Sequence, residues 1–170
     1  MIFRLSQKLK AKIKAGALRA LPLDENPLAD WSAHLFVAGR AHYLLVSNTT
    51  SLYSTVMYGR GVTTDGHFIE RALAGIREFM EADGQAFAYR RLIVPATASV
   101  RFAKALDRSV TGSMNDLIRH ATYWLAGGDQ SPFDVGFRLN DIPMSALASG
   151  GSPYGKPREA FRALAGGVES

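Results

Sequence analysis

The stretch RSVTGSMNDL, residues 108–117, brings together side chains that could bind an anion. Free backbone N–H groups at a helix N-terminus attract anions, and a nearby arginine adds a counter-charge. The sequence therefore predicts an anion site formed by Arg108, Ser109, Gly112, Ser113 and Asn115. The same stretch is typical of a structural helix start, in which Ser113 and Asp116 form a capping box worth about 1 kcal/mol. Both interpretations place a loop before a helix that begins near Ser113.

Three side chains of this region have the right types for acid–base or nucleophilic chemistry. Asp116 and His120 are four residues apart on the predicted helix, so the carboxylate could orient the imidazole as a general base, and Ser113 is a further catalytic candidate. The chain has no G-x-S-x-G elbow, no S-x-x-K and no Walker A loop, so neither Ser109 nor Ser113 has a recognised activating context. An ordinary helix-surface pair is the commoner explanation for Asp116 and His120.

The sequence contains no recognised motif for a metal or a cofactor. Its four histidines, at positions 34, 42, 67 and 120, lack HxH and HExxH spacing. The chain has no cysteine, which removes thiolate ligands and thiolate nucleophiles. No G-x-G-x-x-G opens a helix. We therefore expect neither a metal nor a cofactor.

A second candidate site is the basic N-terminal segment, which contains Lys8, Lys10, Lys12 and Lys14 and no acid before Asp24. Apolar residues recur at every fourth position and predict a helix that follows residues 2–6, ends before Pro22 and docks one stripe on the core. The same composition occurs in organelle transit peptides and in helices that lie on membranes. A second basic run consists of Arg90, Arg91, Arg101, Lys104 and Arg108.

The charge balance favours an anionic partner. The net charge is +5 and the isoelectric point is about 9.7, so nucleic acid and acidic protein surfaces are both candidates. Neither basic cluster is accompanied by an aromatic-rich RNA-binding signature or by zinc-finger spacing. A solubility role for the excess charge is the simpler alternative.

The size and pattern of the chain predict one α+β domain spanning residues 1–170. We expect a mainly antiparallel sheet of four to five strands, packed by helices, with strands at 2–6, 34–38, 42–47, 51–58 and 99–104. Helices are predicted at 64–82, at 113–126, on both sides of a break at LNDIP, and in KPREAFRAL. No apolar run approaches the roughly 20 residues of a membrane span. Together with the missing cysteines, this predicts a cytoplasmic protein.

One hairpin allows its register to be predicted. If Gly39 and Arg40 form a two-residue turn, then Ala38 faces Ala41, Val37 faces His42, Phe36 faces Tyr43 and His34 faces Leu45. Cross-strand partners share a face, so His34 and His42 lie on opposite faces and cannot share a metal.

Four blocks, DWSAHLF, LLVSNTTSLYS, DRSVTGSMNDL and LNDIPMSAL, resemble in order and spacing a family of small bacterial proteins classed only as a domain of unknown function. The resemblance extends from MIFRLSQKL to the last helix, and the RSVTGSMNDL block is its most specific part. It implies a bacterial single-domain protein in which the basic segment belongs to the domain. It implies no activity.

The leading hypothesis is a non-catalytic protein that binds an anionic partner, nucleic acid or an acidic protein surface, through the basic helix and the 108–116 loop. The alternative is a small enzyme that acts on a phosphate- or carboxylate-bearing substrate at Arg108, Ser113, Asp116 and His120. A third possibility is a structural or oligomer-forming role. The sequence leaves the oligomeric state open.

Overall fold

One five-stranded sheet forms the centre of the protein, and helices pack on both faces. The computed structural model describes residues 1–169, without the side chains of residues 168 and 169. The strands are β1 (Ile2–Leu5), β2 (Asp30–Ala38), β3 (Ala41–Asn48), β4 (Ser54–Tyr58) and β5 (Arg101–Ala103). The helices are α1 (Gln7–Lys12), α2 (Asp65–Ala82), α3 (Ala86–Ala88), α4 (Arg108–Ala126), α5 (Pro132–Leu139) and α6 (Pro157–Glu169). Turns of 3₁₀ type occur at Pro27–Ala29, Val94–Ala98 and Ser145–Leu147, and a π turn at Tyr89–Ile93. The α+β class is confirmed.

The sheet is mixed, so the prediction of a mainly antiparallel sheet is only partly right. The strand order is β4-β3-β2-β1-β5. The β2–β3 and β3–β4 pairings are antiparallel, whereas β1 runs parallel to both β2 and β5. Parallel neighbours need a long crossover connection, and residues 6–29 provide one between β1 and β2. The direction of a strand depends on the path of this crossover, which the local residue pattern does not encode.

The predicted hairpin register is confirmed. Ala38 pairs with Ala41, Val37 with His42, Phe36 with Tyr43 and His34 with Leu45. Gly39 has a φ of +59°, the left-handed conformation that the two-residue turn requires. Leu44 and Val46 face the core that contains α1, α2 and α6, whereas Phe36, Tyr43 and Leu45 face the core that contains α4 and α5. Both faces are covered, as the apolar pattern of the hairpin indicates.

The basic N-terminal helix is much shorter than predicted. It runs only from Gln7 to Lys12, because Lys14 takes a left-handed φ of 55° and ends the helical path. Leu9 and Ile13 are buried as expected. The chain then follows the outer edge of β5, where the Lys104 N–H donates to the Arg19 carbonyl at 2.9 Å. The fourfold apolar repeat beyond Ile13 was therefore misleading.

Helix α4 begins five residues earlier than predicted, so residues 108–116 form helix and not a loop. Asp107 is its N-cap, and its Oδ1 accepts the Val110 N–H at 2.9 Å. Ser113 is a buried residue on the second turn, so the capping box of Ser113 and Asp116 does not exist. Asp107 is a better cap at this point because its carboxylate lies at the positive end of the helix dipole.

The strands predicted at 51–58 and 99–104 are shorter in the structure, Ser54–Tyr58 and Arg101–Ala103, whereas the remaining helices agree with their sequence patterns. Helix α2 follows the capping residue Thr64 and buries the predicted stripe, which consists of Phe68, Ala72, Ile76, Phe79 and Met80. Helix α5 and the 3₁₀ turn at Ser145–Leu147 lie on either side of LNDIP. The ambiguous segment AFAYRRLIVPA is helical. Helix α4 stops at Gly127 and Gly128, as expected.

A buried ion pair between Arg4 of β1 and Asp30 of β2 ties the parallel strands together. The Arg4 Nε and Nη2 donate to the two Asp30 oxygens at 2.9 and 2.8 Å. The other guanidinium N–H groups donate to the backbone carbonyls of Leu21, Pro22 and Lys104. All five donors of the guanidinium therefore have acceptors. The Asp30 carboxylate also accepts the Thr49 hydroxyl at 2.7 Å and the Asp24 N–H at 3.1 Å.

The outer edge of β4 is covered along its length. Asn140 accepts the Ser54 N–H at 2.8 Å and donates to the Ser54 carbonyl at 2.9 Å, so its side chain replaces one residue of a neighbouring strand. Gly136 of α5 packs against the Val56 backbone, where a Cβ would lie 3.4 Å from the nitrogen. Arg71 donates to the Tyr58 carbonyl at 2.9 Å. A covered edge cannot pair with another chain.

We predict that Arg4→Met destabilises the protein by about 3–5 kcal/mol, because Asp30 would remain buried without its counter-charge. Urea unfolding measures the loss. Arg19→Met, at an exposed position, is the matched control and is expected to stay within about 0.5 kcal/mol of the wild type. Equal effects of the two substitutions would contradict the structural role of Arg4.

We predict that Asp107→Ala costs about 1 kcal/mol of unfolding free energy, because the first turn of α4 loses its cap. Ser113→Ala is expected to cost less than about 0.5 kcal/mol, since Ser113 lies inside the helix and alanine has the higher helix propensity. Thermal unfolding of both variants gives the comparison. A larger loss in Ser113→Ala would support the capping box instead.

Candidate functional site

Two adjoining cavities lie at the hairpin end of the sheet. The first, which we call the edge cleft, has a volume of about 790 Å³ and lies between α1 and α4, beside residues 34–37 of β2. The second, the turn pocket, has a volume of about 720 Å³ and lies between the β2–β3 turn and the end of β4. His42 lines both cavities. The two therefore form one surface.

Four cations from three segments line this surface. Lys8 lines the edge cleft, and Lys12, Arg40 and Arg60 line the turn pocket. Within residues 1–169, no carboxylate lines either cavity, and none of the four cations forms an ion pair. The surface therefore has an unbalanced positive charge, which attracts anions.

Helix α1 positions Lys8 and Lys12 through its buried side. The Ser6 hydroxyl caps the helix by accepting the Leu9 N–H at 3.3 Å. Leu9 and Ile13 are buried at 0% and 2% exposure and anchor the helix in the core. Lys8 and Lys12 are four residues apart and so lie on the same side of the helix. Lys10 and Lys14, the other members of the predicted basic patch, line neither cavity.

Two turns position the arginines. Arg40 follows the left-handed Gly39 in the hairpin turn. Arg60 follows Gly59, whose N–H donates to the His42 carbonyl at 2.8 Å. A Cβ on Gly59 would lie 3.3 Å from the His42 backbone, so this close approach favours glycine. Sequence reasoning missed both arginines, although cations beside turn glycines are a sign of an exposed basic site.

An aromatic ladder extends to the turn pocket. The Phe36 and Tyr43 rings are stacked at 5.6 Å, and Tyr43 and Tyr58 are 5.3 Å apart. Burial and the neighbouring Tyr58 raise the pKa of Tyr43. Tyr58 is 53% exposed and lines the turn pocket beside Arg60. Folding thus places an aromatic ring among the cations, although the sequence shows no such cluster.

The predicted anion site at 108–116 is divided by the structure. Arg108, Ser109 and Gly112 lie on the exposed side of the first turns of α4 and line neither cavity. The Asp107 carboxylate already occupies the N-terminus of this helix. Asn115 alone of the predicted set lines the edge cleft, opposite Lys8.

The three catalytic candidates line a separate cavity of about 260 Å³. Ser113, Asp116 and His120 meet there with Tyr154 and residues 142–146. Asp116 forms an ion pair with Arg119. No hydrogen bond joins Ser113 to His120 or His120 to Asp116 in the described part of the chain. Among residues 1–169, no group of three or more histidine and acidic side chains is placed to bind a metal ion.

His34 lies in the edge cleft on the α4 side of β2. Burial lowers the pKa of His34 from its ordinary 6.5. The unfolded chain therefore takes up a proton at a higher pH than the folded protein does. The contribution of neutral His34 to stability is present at pH 7 and is lost as the pH falls below about 6.5.

We predict that His34→Gln reduces the drop in unfolding free energy between pH 7.5 and pH 5.5, because the substitution removes a group that takes up its proton at a higher pH in the unfolded chain than in the folded protein. Urea unfolding at both pH values measures the drop. His67→Gln, at an exposed position, is the control and should leave the drop unchanged. An unchanged drop in His34→Gln would contradict the assignment.

Comparisons with known proteins identify the family of this chain but no activity. Comparison with curated proteins and with solved structures gives no match. No helix in the described part of the chain is long and apolar enough to cross a membrane. The model of one family, described as Domain of unknown function (DUF6933), matches residues 2–160. The match covers most of the chain, and the protein therefore belongs to this family of unknown function.

Proposed function

We propose that the protein is a non-catalytic binding protein that recognises an anionic partner at the edge cleft and the turn pocket. One observation supports this most: four cations without ion-pair partners surround two adjoining cavities, and within the described chain no carboxylate lines either cavity. Such a surface raises the local concentration of anions and favours their binding. A cytoplasmic location in a bacterium, expected from the sequence, is part of the proposal.

The regular backbone around the surface also supports binding. Lys8 and Lys12 lie on α1, and Arg40 and Arg60 follow the turn glycines Gly39 and Gly59. A backbone that already has its folded conformation loses little entropy when a partner binds. In this proposal, as in the sequence hypothesis, the basic helix binds the partner, through Lys8 and Lys12. Arg40 and Arg60 supply the second group of cations, in place of the 108–116 segment.

The enzyme alternative has weaker support. Ser113, Asp116 and His120 do meet in one cavity, but Asp116 forms an ion pair with Arg119. A nucleophile needs a base within hydrogen-bond reach, and the base needs a group that orients it. Neither contact is present among these three side chains.

We predict that fluorescein-labelled polyglutamate or a labelled single-stranded RNA binds the wild type and that the affinity falls with salt. Arg40→Glu with Arg60→Glu is expected to lower the affinity by about tenfold or more, because attraction becomes repulsion at two positions. Fluorescence anisotropy at low and moderate salt measures both effects.

The matched control is Arg90→Glu with Arg101→Glu, which changes the net charge equally at two exposed positions that line neither cavity. This variant is expected to lose much less affinity than the Arg40 and Arg60 variant. Equal losses would show that only the total charge matters and would overturn the proposed site. Absence of binding to both probes would overturn the proposed function.

A further inference from the structure

We propose that the edge of β2 from Leu35 to Val37 binds an extended acidic segment of a partner protein as an additional β-strand. This inference rests on the proposed function, because the same cations would attract the segment. It adds the class of partner and the way in which the partner is held.

Strand β1 leaves the second half of β2 unpaired. Its pairing with β2 covers only Asp30 to Ala33. The last hydrogen bond runs from the Ser6 N–H to the Ala33 carbonyl at 3.0 Å, and the chain then turns into α1. Within residues 1–169, positions 34–38 of β2 therefore have β3 on one side and no strand on the other.

The register shows where the backbone groups of this half point. The Ala33 carbonyl points towards β1, and in an extended strand the N–H and C=O groups of alternate residues point to the same side. Leu35 and Val37 therefore direct both groups towards the open side. His42, the residue opposite Val37 on β3, supports this orientation. Its carbonyl accepts the Gly59 N–H on the β4 side, so Val37 and His42 are not hydrogen-bonded to each other.

These backbone groups have no hydrogen-bond partner among residues 1–169. Other segments cover the outer edges of the sheet. Asn140 binds both outward groups of Ser54, Arg71 binds the Tyr58 carbonyl and Gly136 packs on the Val56 backbone. Arg19 lies beside the end of β5. An uncovered strand edge is a template for another strand, and proteins use such edges to bind extended peptides.

The edge cleft has the shape that a peptide strand needs. Helix α1 forms one wall through Lys8 and Ala11, and α4 forms the other through Asn115 and Ile118. Leu35 is half-buried, whereas Val37 is 51% exposed. A segment of about five residues, at about 3.3 Å per residue, would run beside residues 34–38.

The positive charge around the edge cleft determines which side chains the bound segment would have. Side chains of a strand alternate between two faces. One face of an added strand would meet Lys8, Lys12 and His42, and the other would meet Asn115 and Ile118. The segment that fits has acidic residues at every second position and apolar or small polar residues between them.

Two other occupants fit less well. Nucleic acid would place phosphates against the outward carbonyls of Leu35 and Val37, which repel negative charge. A second copy of this chain would bring two surfaces of the same positive charge together. A peptide strand satisfies both the donors and the acceptors of the edge.

The test uses the full chain and a labelled peptide of alternating Glu and Val. Amide hydrogen exchange, followed by NMR, is expected to be fast at Leu35 and Val37 in the free protein and slow when the peptide is bound. A peptide with Gln in place of Glu is expected to bind about tenfold more weakly or worse. Slow exchange of both amides in the free protein would overturn the proposal.

A pair of variants separates strand pairing from charge. Val37→Pro removes an outward N–H and fills its place with a ring, so the affinity for the peptide is expected to fall by about tenfold. Val37→Thr keeps the N–H and the branched shape and should bind as the wild type does. Proline is tolerated on an edge where the N–H has no partner, and thermal unfolding of both variants checks the fold.

The possible results distinguish this inference from the proposed function. If the peptide binds in a salt-dependent manner but Val37→Pro binds it equally well, strand pairing is overturned and anion binding stands. If only single-stranded RNA binds, strand pairing with a peptide is likewise overturned and anion binding stands. If the wild type is a dimer that Val37→Pro dissociates, the edge is already occupied by a second copy and the inference is overturned. If no anionic probe binds, both proposals are overturned.

Discussion

The buried pair of Arg4 and Asp30 is the constraint on which the rest of the sheet depends. An arginine without acceptors in the interior would cost several kcal/mol, so the structure must bring carbonyls to every N–H that the carboxylate does not reach. Those carbonyls come from Leu21, Pro22 and Lys104. The chain after α1 returns along the outer edge of β5 and brings the carbonyls of Leu21 and Pro22 to Arg4. The second half of β2 stays open because β1 ends at Leu5 and the chain turns into α1.

The residues of the sequence blocks that resemble the family mainly stabilise the fold. DWSAHLF supplies Asp30, and LLVSNTTSLYS supplies Thr49, which binds the same carboxylate. Asn48 accepts the Ser51 N–H and hydroxyl and so shapes the β3–β4 turn. LNDIPMSAL supplies Asn140, which closes the edge of β4. The buried polar side chains in these blocks have partners, which explains why polar residues occur in an otherwise apolar core.

Local patterns predicted those features that depend on neighbouring residues. The hairpin register followed from Gly39 and the side-chain alternation, and the buried stripe of α2 followed from the helical period. The ends of α1 and α4 were missed because tertiary contacts decide them: Arg19 joins β5, and Asp107 competes with Ser113 as a cap. The parallel direction of β1 was missed for the same reason. The candidate surface could be predicted only in part, since Lys8 and Lys12 share a helix while Arg40, Arg60 and Asn115 come from distant segments.

The central position of β1 between β2 and β5 also determines the order in which the protein can fold. Ile2 pairs with Arg101, so about 100 residues must be in place before this strand pair can close. Closing so long a loop costs entropy, and folds with many such contacts form slowly. The antiparallel strands β2 to β4 need only short loops and can form first. During synthesis on the ribosome, one backbone edge of β1 would then stay exposed until β5 emerges. This edge is where the nascent chain most needs protection from incorrect strand pairing.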